Sequence, residues 1–211
     1  MNFGTVVVIA GFSGLFSFGF LAAAIGSDYW YIIKVNQENL TYSEDLDSHS
    51  GLWRINEGKN ASSYFIHPFT EDTSDYTEPE RHLLSMHKVI VILLPLSLVL
   101  LVFGGICSLV SSLAHSRTLL IASASYFLFC SLFTLSGVSI YISYSQQALQ
   151  EIERQVGPEL LARVHVSFGW SLGLAWLSYG LELTTAVLLL LAAHMTRLQQ
   201  TSEFSTTMAM G

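Results

Sequence analysis

Four long apolar runs alternate with polar segments along the 211 residues of the chain. Apart from Glu182 in the fourth run, the interiors of these runs contain no Asp, Glu, Lys or Arg. A helix needs about 20 apolar residues to cross a hydrocarbon core about 30 Å thick, and each run is long enough. The pattern therefore predicts a bundle of four transmembrane helices. The predicted spans are residues 5–26, 88–112, 118–142 and 167–194.

Five polar segments flank these spans, and the second is by far the longest. They are residues 1–4, 27–87, 113–117, 143–166 and 195–211. Four spans place both termini on one side of the membrane. The sequons Asn39-Leu40-Thr41 and Asn60-Ala61-Ser62 both lie in the long segment and predict N-glycosylation there. We therefore expect a plasma-membrane protein with the long segment outside the cell and both termini in the cytoplasm.

The first run has an alternative interpretation as a cleaved signal peptide. Ala22-Ala23-Ala24 resembles a small-residue cleavage site. However, no Lys or Arg precedes the run, and its apolar stretch is longer than a normal signal-peptide core. These two features favour a permanent span.

The long segment carries three stretches rich in aromatic and β-branched residues, which are typical of strands. They are residues 29–35, 51–55 and 63–66, with a turn predicted at 57–60. The predicted fold is an all-α membrane protein with a small β component, a four-helix bundle with a small extracellular antiparallel β-sheet. We expect an irregular acidic stretch at 71–80, a third helix that continues until Gly157-Pro158, and a disordered tail after His194.

Composition and charge agree with a membrane-embedded chain. Hydrophobic residues make up 51% of it, the charged fraction is 12% and the mean hydropathy is +0.49, whereas soluble domains carry about 25% charged residues. The net charge of −7 is concentrated in the long segment, where eleven acidic residues accompany four basic ones between Ser27 and Leu84. An acidic surface argues against nucleic acid as a partner and suits cations or basic protein surfaces.

No motif predicts catalysis, a cofactor or a metal. The sequence has no Gly-rich phosphate loop and no Cys/His cluster, and Cys107 and Cys130 both fall inside spans. The spacing of His82 and His87 is not the one-face i, i+4 geometry of a helical metal site. Nor does a series of charged residues cross the bilayer, as a pump or a selective pore would require. We therefore expect no catalytic residue, no cofactor and no metal ligand.

Glu182 is the one carboxyl group predicted to lie deep within a span. Such a group is costly in hydrocarbon, so it should face the bundle, and it is a functional candidate. The structural alternative is a hydrogen-bonded carboxyl that locks two helices together. A hydroxyl of the third span, such as that of Ser136 or Tyr141, is the expected partner.

Trp30 followed by Gly51-Leu52-Trp53 resembles the W…GLW signature of the claudin-like tetraspan superfamily, which includes PMP-22, the EMP proteins and the claudins. Gly26-Ser27-Asp28-Tyr29-Trp30 is especially similar to the calcium-channel gamma subunits and the AMPA-receptor regulatory proteins among them. Glu182 matches an acidic residue in the fourth span of that group, and the likeness extends to about His194. Further similar stretches are Ser48–Arg54, Leu93–Leu98, Val138–Ser143 and Phe168–Ser171.

The resemblance implies a non-catalytic membrane protein that contacts lipid and acts as an auxiliary subunit of an ion channel or a glutamate receptor. Trp30 and Gly51-Leu52-Trp53 would build the architecture of the long loop, and the acidic stretch Asp72–Glu80 is a candidate contact with the partner. The alternative is a claudin-like adhesion or membrane-organising protein that associates with copies of itself. Location at cell junctions would favour adhesion, whereas co-purification with a channel would favour the auxiliary role.

The chain departs from the family pattern in two places. The family follows GLW with two cysteines that join two strands of the extracellular sheet, whereas this chain has Asn56 at the first position and Ser62 or Ser63 near the second. The hairpin must therefore hold by packing and strand pairing alone. The ending Met208-Ala209-Met210-Gly211 lacks the PDZ-binding pattern of the receptor-regulating members, so a PDZ scaffold is not an expected partner.

Overall fold

The computed structural model describes residues 2–35, 48–57, 62–66, 69, 77–156 and 164–209. Within this part of the chain, long helices and short strands follow one another in a simple order. The helices are α1 (Phe3–Gly26), α2 (Glu78–Leu113), α3 (Arg117–Val156) and α4 (Trp170–Ala209). The strands are β1 (Tyr31–Val35), β2 (Ser48–Ser50), β3 (Arg54–Glu57), β4 (Ser62–Phe65) and β5 (Val164–Phe168).

All four helices are long and apolar enough to cross a bilayer. α2 begins at Glu78, earlier than the predicted span, because Thr77 and Glu80 form half of a capping box. The Thr77 N–H donates to Glu80 Oε2 over 2.9 Å. The two acidic residues of this first turn also stabilise the helix, because they lie at the positive end of its dipole. The expectation of irregular structure is therefore wrong for residues 78–80, while residues 71–76 lie outside the described part.

The polar end of the chain is helical up to Ala209, so the predicted disorder after His194 is wrong. Its hydroxyl groups bond to the helix itself. Thr196 Oγ1 donates to Ala192 O over 3.0 Å, and Thr201 Oγ1 donates one turn back over the same distance. Such bonds to the preceding turn satisfy Ser and Thr within a helix, whereas composition alone counts these residues as loop-forming.

The described residues form two compact units, and each contains a part of all four helices. The first comprises Met1–Leu21, Leu96–Thr134 and Leu177–Gly211, and the second Ala22–Pro95 and Leu135–Trp176. Within the first unit, small residues bring the helices close together. A Cβ at Gly104 of α2 would lie 3.1 Å from the Tyr126 ring of α3, and the hydroxyls of Ser17 in α1 and Ser178 in α4 are 3.0 Å apart. Such seams are typical of membrane helices.

The second unit contains an antiparallel five-stranded sheet in the order β4-β3-β2-β1-β5. Tyr31 of β1 pairs with Ser50 of β2 on one side and with Phe168 of β5 on the other. The predicted four-helix fold with a small antiparallel sheet is confirmed. The expected strand at 51–55 begins only at Arg54, and β2 and β5 were not predicted.

Candidate functional site

The C-terminal end of α1 is capped by two tryptophan side chains. The last carbonyl groups of a helix have no partner within it. Trp30 Nε1 donates to Ala24 O over 2.7 Å, and Trp53 Nε1 donates to Ile25 O over 3.1 Å. Ser27 Oγ adds a second bond to Ala24 O, at 3.1 Å. Both tryptophans of the sequence signature therefore satisfy the end of the first helix, and we call this arrangement the indole cap.

Trp30 also joins the indole cap to the sheet and to α3. Its side chain is fully buried, and its ring lies 4.7 Å from the ring of Tyr141, tilted by 57°. Its backbone N–H donates to Ser50 O, and the Gly169 N–H donates to its carbonyl, each over 3.0 Å. One residue thus connects α1, α3, β2 and the start of α4.

Gly51 stands where two backbone segments approach too closely for a side chain. A Cβ at this position would lie 2.7 Å from Asp28 Cα. The Gly51 N–H donates to Arg54 O over 2.8 Å and closes a tight turn. The turn carries Leu52 into the core, where its side chain is fully buried. The three residues of the GLW motif therefore have separate roles: close approach, burial and capping.

Gly169 has the same constraint and was not among the predicted site residues. A Cβ there would overlap the carbonyl group of Tyr29. One sequence signal was its place in the stretch Phe168–Ser171, which is similar to the gamma subunits. Because the contact joins residues from opposite ends of the chain, spacing alone could not show it.

Tyr31 strengthens the seam between β1 and β5. Its ring meets Phe168 edge-on at 6.1 Å. A small cavity of about 150 Å³, lined by Tyr31, Leu149 and Phe168 among others, lies beside it. Burial raises the pKa of the Tyr31 phenol, so the group is neutral at physiological pH.

Three partly exposed side chains, Tyr29, His49 and Trp170, form an aromatic patch beside the indole cap. The rings of Tyr29 and His49 stack 4.5 Å apart and within 3° of parallel, and Trp170 lies 6.0 Å from Tyr29. Asn56 Nδ2 is 3.2 Å from His49 Nε2 and holds the imidazole in place. Tyr29 is 41% exposed and Trp170 is 54% exposed. The aromatic patch is therefore accessible, whereas Trp30 and Leu52 are not.

The strand register shows which residues pair where the resemblance implies two cysteines in the family. Asn56 of β3 pairs directly with Ser63 of β4, so Ser63, rather than Ser62, is in register. The Ile66 N–H donates to Trp53 O over 3.0 Å, and pairs in an antiparallel ladder alternate between hydrogen-bonded and non-hydrogen-bonded. Asn56 and Ser63 are thus a non-hydrogen-bonded pair with Cα atoms about 4.5 Å apart, which is within disulfide range.

In the first unit, Glu182 is fully buried within a network of hydroxyl groups. Thr134 Oγ1 of α3 donates to Glu182 Oε1 over 2.9 Å, and Ser178 Oγ lies 3.4 Å from the same oxygen. Ser97 of α2 bonds to Thr134, and Ser17 of α1 bonds to Ser178. The carboxyl group is thereby linked to all four helices. Its other oxygen, Oε2, has no hydrogen-bond partner within the described chain.

The expected partner of this carboxyl group was a hydroxyl of the third span, and the structure has one there, although it is neither of the named examples, Ser136 and Tyr141. The donor is Thr134. Which hydroxyl of α3 faces α4 depends on the rotation of each helix about its axis, and sequence spacing does not determine that rotation.

The other residues singled out in the sequence do not form a common site within the described part of the chain. Asn39, Asn60 and residues 72–76 of the acidic stretch lie outside the described part. Cys107 is exposed and Cys130 is buried, and both are free thiols. Across the ranges that the structure describes, no three His, Cys, Asp or Glu side chains form a group that could hold a metal ion.

These features define a class of protein: a multi-pass membrane protein with four helices, an antiparallel sheet and an indole cap on its first helix. A family model described as "PMP-22/EMP/MP20/Claudin tight junction" matches residues 15–191. The chain belongs to this family, and the resemblance seen in the W…GLW signature is confirmed.

Curated relatives of the chain are gamma subunits of voltage-dependent calcium channels. The chain is 29% identical over 152 residues to the gamma-3 subunit of Bos taurus, covering 66% of this chain and 48% of that protein. It is 30% identical over 139 residues to the gamma-3 subunit of Homo sapiens, covering 60% and 44%. The gamma-4 subunit of Homo sapiens is 29% identical over 188 residues, covering 82% and 56%. The chain thus spans about half the length of these relatives.

Proposed function

We propose that this chain is a non-catalytic auxiliary subunit of an ion channel or a glutamate receptor, of the gamma-subunit type. The observation that carries the proposal is the similarity to voltage-dependent calcium channel gamma subunits, which covers 82% of this chain for gamma-4. Because the chain spans about half of those proteins, its partner is proposed by class alone: a membrane channel or receptor that it contacts laterally in the bilayer.

The division between buried and exposed side chains supports a mechanism. Trp30, Leu52 and Trp53 hold the sheet against the end of α1. The aromatic patch stands on this scaffold and remains accessible. We propose that the patch, together with the acidic stretch Asp72–Glu80, contacts the extramembrane part of the partner. Regulation follows if this contact is stronger in one state of the channel than in another.

The proposed location is the plasma membrane, with the sheet outside the cell and both termini in the cytoplasm. Support comes from the sequons at Asn39 and Asn60, which lie in the same long segment as most of the sheet. Glycosylation of either residue would require that segment to enter the secretory lumen.

The direct test is affinity purification in mild detergent from cells that express native channels, followed by mass spectrometry. Trp170→Ala removes an exposed ring of the aromatic patch without touching the indole cap. Ile152→Ala, at an exposed position of α3, is the matched control. We expect a channel or glutamate-receptor subunit to co-purify with the wild type and the control and to be strongly reduced with Trp170→Ala. Recovery of no such subunit with the wild type would refute the proposal.

A second function is favoured by the family description, which names the tight junction. In that case the chain would associate with copies of itself in claudin-like adhesion or membrane organisation. Recovery of only the chain and junctional proteins, with enrichment at cell contacts, would support this alternative over the auxiliary role.

A further inference from the structure

A groove between α1 and α2 in the first unit is lined almost entirely by apolar side chains. Its volume is about 740 Å³, which lies within the usual range of small-molecule sites, about 300–1,000 Å³. Residues 7–18 of α1 and 101–112 of α2 form its walls, and Phe127 of α3 and Thr185 of α4 form its floor. The groove belongs to a single unit, and neither the indole cap nor the aromatic patch is part of it.

Two glycines open the groove. A Cβ built at Gly11 of α1 or at Gly105 of α2 would meet no atom of another residue within 4 Å, apart from chain neighbours and its own helix. On the rim, Phe12, Leu15 and Ile106 are exposed. Because these helices cross the bilayer, the exposed rim faces lipid and the groove can be entered from the membrane.

The lining favours hydrocarbon over a polar ligand. Ser112 Oγ donates to Ser108 O, and Thr185 Oγ1 donates to Leu181 O, each over 2.8 Å. These two hydroxyls are therefore satisfied by their own helices. Neither has an O–H left to donate, and Ser108 is the one further polar side chain in the lining, so a polar ligand would lose its water for few partners, whereas a hydrocarbon chain loses no hydrogen bond to water.

The length of the groove favours one lipid chain over a partner helix. At a rise of 1.5 Å per residue, its walls extend along about 16 Å of each helix. This is about half of a hydrocarbon core about 30 Å thick. A transmembrane partner helix would need a surface that crosses the whole core, whereas an acyl chain occupies one leaflet.

One end of the groove lies at the basic turn between α2 and α3. Ser112 lines the groove, and His115 Nδ1 is 2.9 Å from Ser112 O. The His115 ring meets the ring of Phe3, at the start of α1, edge-on at 4.6 Å. Arg117 follows, His115 and Arg117 are both exposed, and residues 113–118 include no Asp or Glu. This end is therefore suited to an anionic group.

We propose that the groove binds one acyl chain of an anionic phospholipid from the leaflet beside the α2–α3 turn, with the negatively charged headgroup at His115 and Arg117. The apolar walls hold the chain, and the basic turn selects the headgroup. Basic residues close to the membrane surface strengthen binding to anionic lipids. The inference does not depend on the identity of any protein partner.

The test uses the full chain in nanodiscs of phosphatidylcholine with or without phosphatidylserine. A phospholipid probe with a photoreactive group in its acyl chain is cross-linked, and the adducts are mapped by mass spectrometry. Labelling is normalised to the lipid-facing stretch around Phe129 of α3, which is exposed and lies outside the groove. We expect enriched adducts in residues 7–18 and 101–112, with more from the phosphatidylserine probe than from the phosphatidylcholine probe.

Gly105→Leu fills the groove and should remove the enrichment. Gly19→Leu is the matched control, because Gly19 lies on α1 outside the lining and its Cβ would also meet no neighbouring side chain within 4 Å. Both variants must elute as a single species with unchanged helical circular dichroism before they are compared. Arg117→Gln should keep the labelled positions and lower the preference for phosphatidylserine by about fivefold.

Three outcomes would overturn the proposal. The first is enrichment that persists in Gly105→Leu. The second is equal labelling by the two headgroups. The third is displacement of the phospholipid probe by a sterol, or cross-linking of the groove to a second copy of the chain.

Discussion

The indole N–H groups give a physical reason for tryptophan at both signature positions. Phenylalanine would keep a smaller aromatic ring next to Tyr141, but it could not donate to the end of α1. Trp30 and Trp53 donate to successive carbonyls, Ala24 O and Ile25 O, over 2.7 and 3.1 Å. These groups lie where a membrane helix ends and water is scarce, so an unpaired carbonyl would be costly.

Trp30→Phe should therefore destabilise the protein, although residue 30 keeps an aromatic ring that contacts Tyr141. The variant removes the shortest bond to Ala24 O, which keeps its bond from Ser27 Oγ, and it leaves a smaller ring in a fully buried site, so the expected loss is about 1–3 kcal/mol in the free energy of unfolding. The measurement is thermal or denaturant unfolding in detergent micelles. Trp170→Phe, at an exposed ring, is the control and should change stability by less than half of that amount. Equal losses in the two variants would contradict a stabilising role of the Trp30 indole in the cap.

We expect Glu182 to act through the hydrogen bonds that it accepts. Glu182→Gln keeps an oxygen for Thr134 and Ser178, so we expect a change of less than about 1 kcal/mol. Glu182→Ala leaves both donors without this acceptor and opens a cavity, with an expected loss of about 2–4 kcal/mol. Unfolding in the same micelles compares the two variants. If Gln proved as damaging as Ala, the hydrogen bonds accepted by Oε1 would not account for the role of Glu182.

At the scale of the elements, the sequence determines the helices better than the sheet. Each span must meet the bilayer's length requirement by itself, so apolar runs predicted all four helices. β2, with the sequence Ser-His-Ser, has no apolar residue, and β5 pairs with β1 from the opposite end of the chain. β5, Val-His-Val-Ser-Phe, does alternate apolar and polar residues, but its partner strand cannot be read from the sequence, because pairing over such a distance depends on tertiary contacts. The indole cap was foreseen only as a family motif; its hydrogen bonds required the structure.

The hairpin of β3 and β4 should accept the disulfide that the family has and this chain lacks. Asn56→Cys with Ser63→Cys places two thiols at a non-hydrogen-bonded pair, and closing this short loop should stabilise the hairpin by about 2–3 kcal/mol. Protease resistance and mobility on non-reducing gels report the bond. Asn56→Cys alone measures the loss of the His49 contact. The register would be wrong if Glu57→Cys with Ser62→Cys cross-linked faster than the first pair.

For the whole molecule, the orientation in the membrane predicts where sugar is attached. Asn39 and Asn60 lie in one segment between α1 and α2, so a luminal segment exposes both sequons and a cytosolic one exposes neither. In mammalian cells we expect Asn39→Gln and Asn60→Gln each to lower the apparent mass on a gel by one glycan. The double variant should lose both glycans. Asn56→Gln, outside any sequon, is the control. An unmodified wild type, together with modification of a sequon engineered into the α2–α3 turn, would reverse the orientation and place the aromatic patch in the cytoplasm.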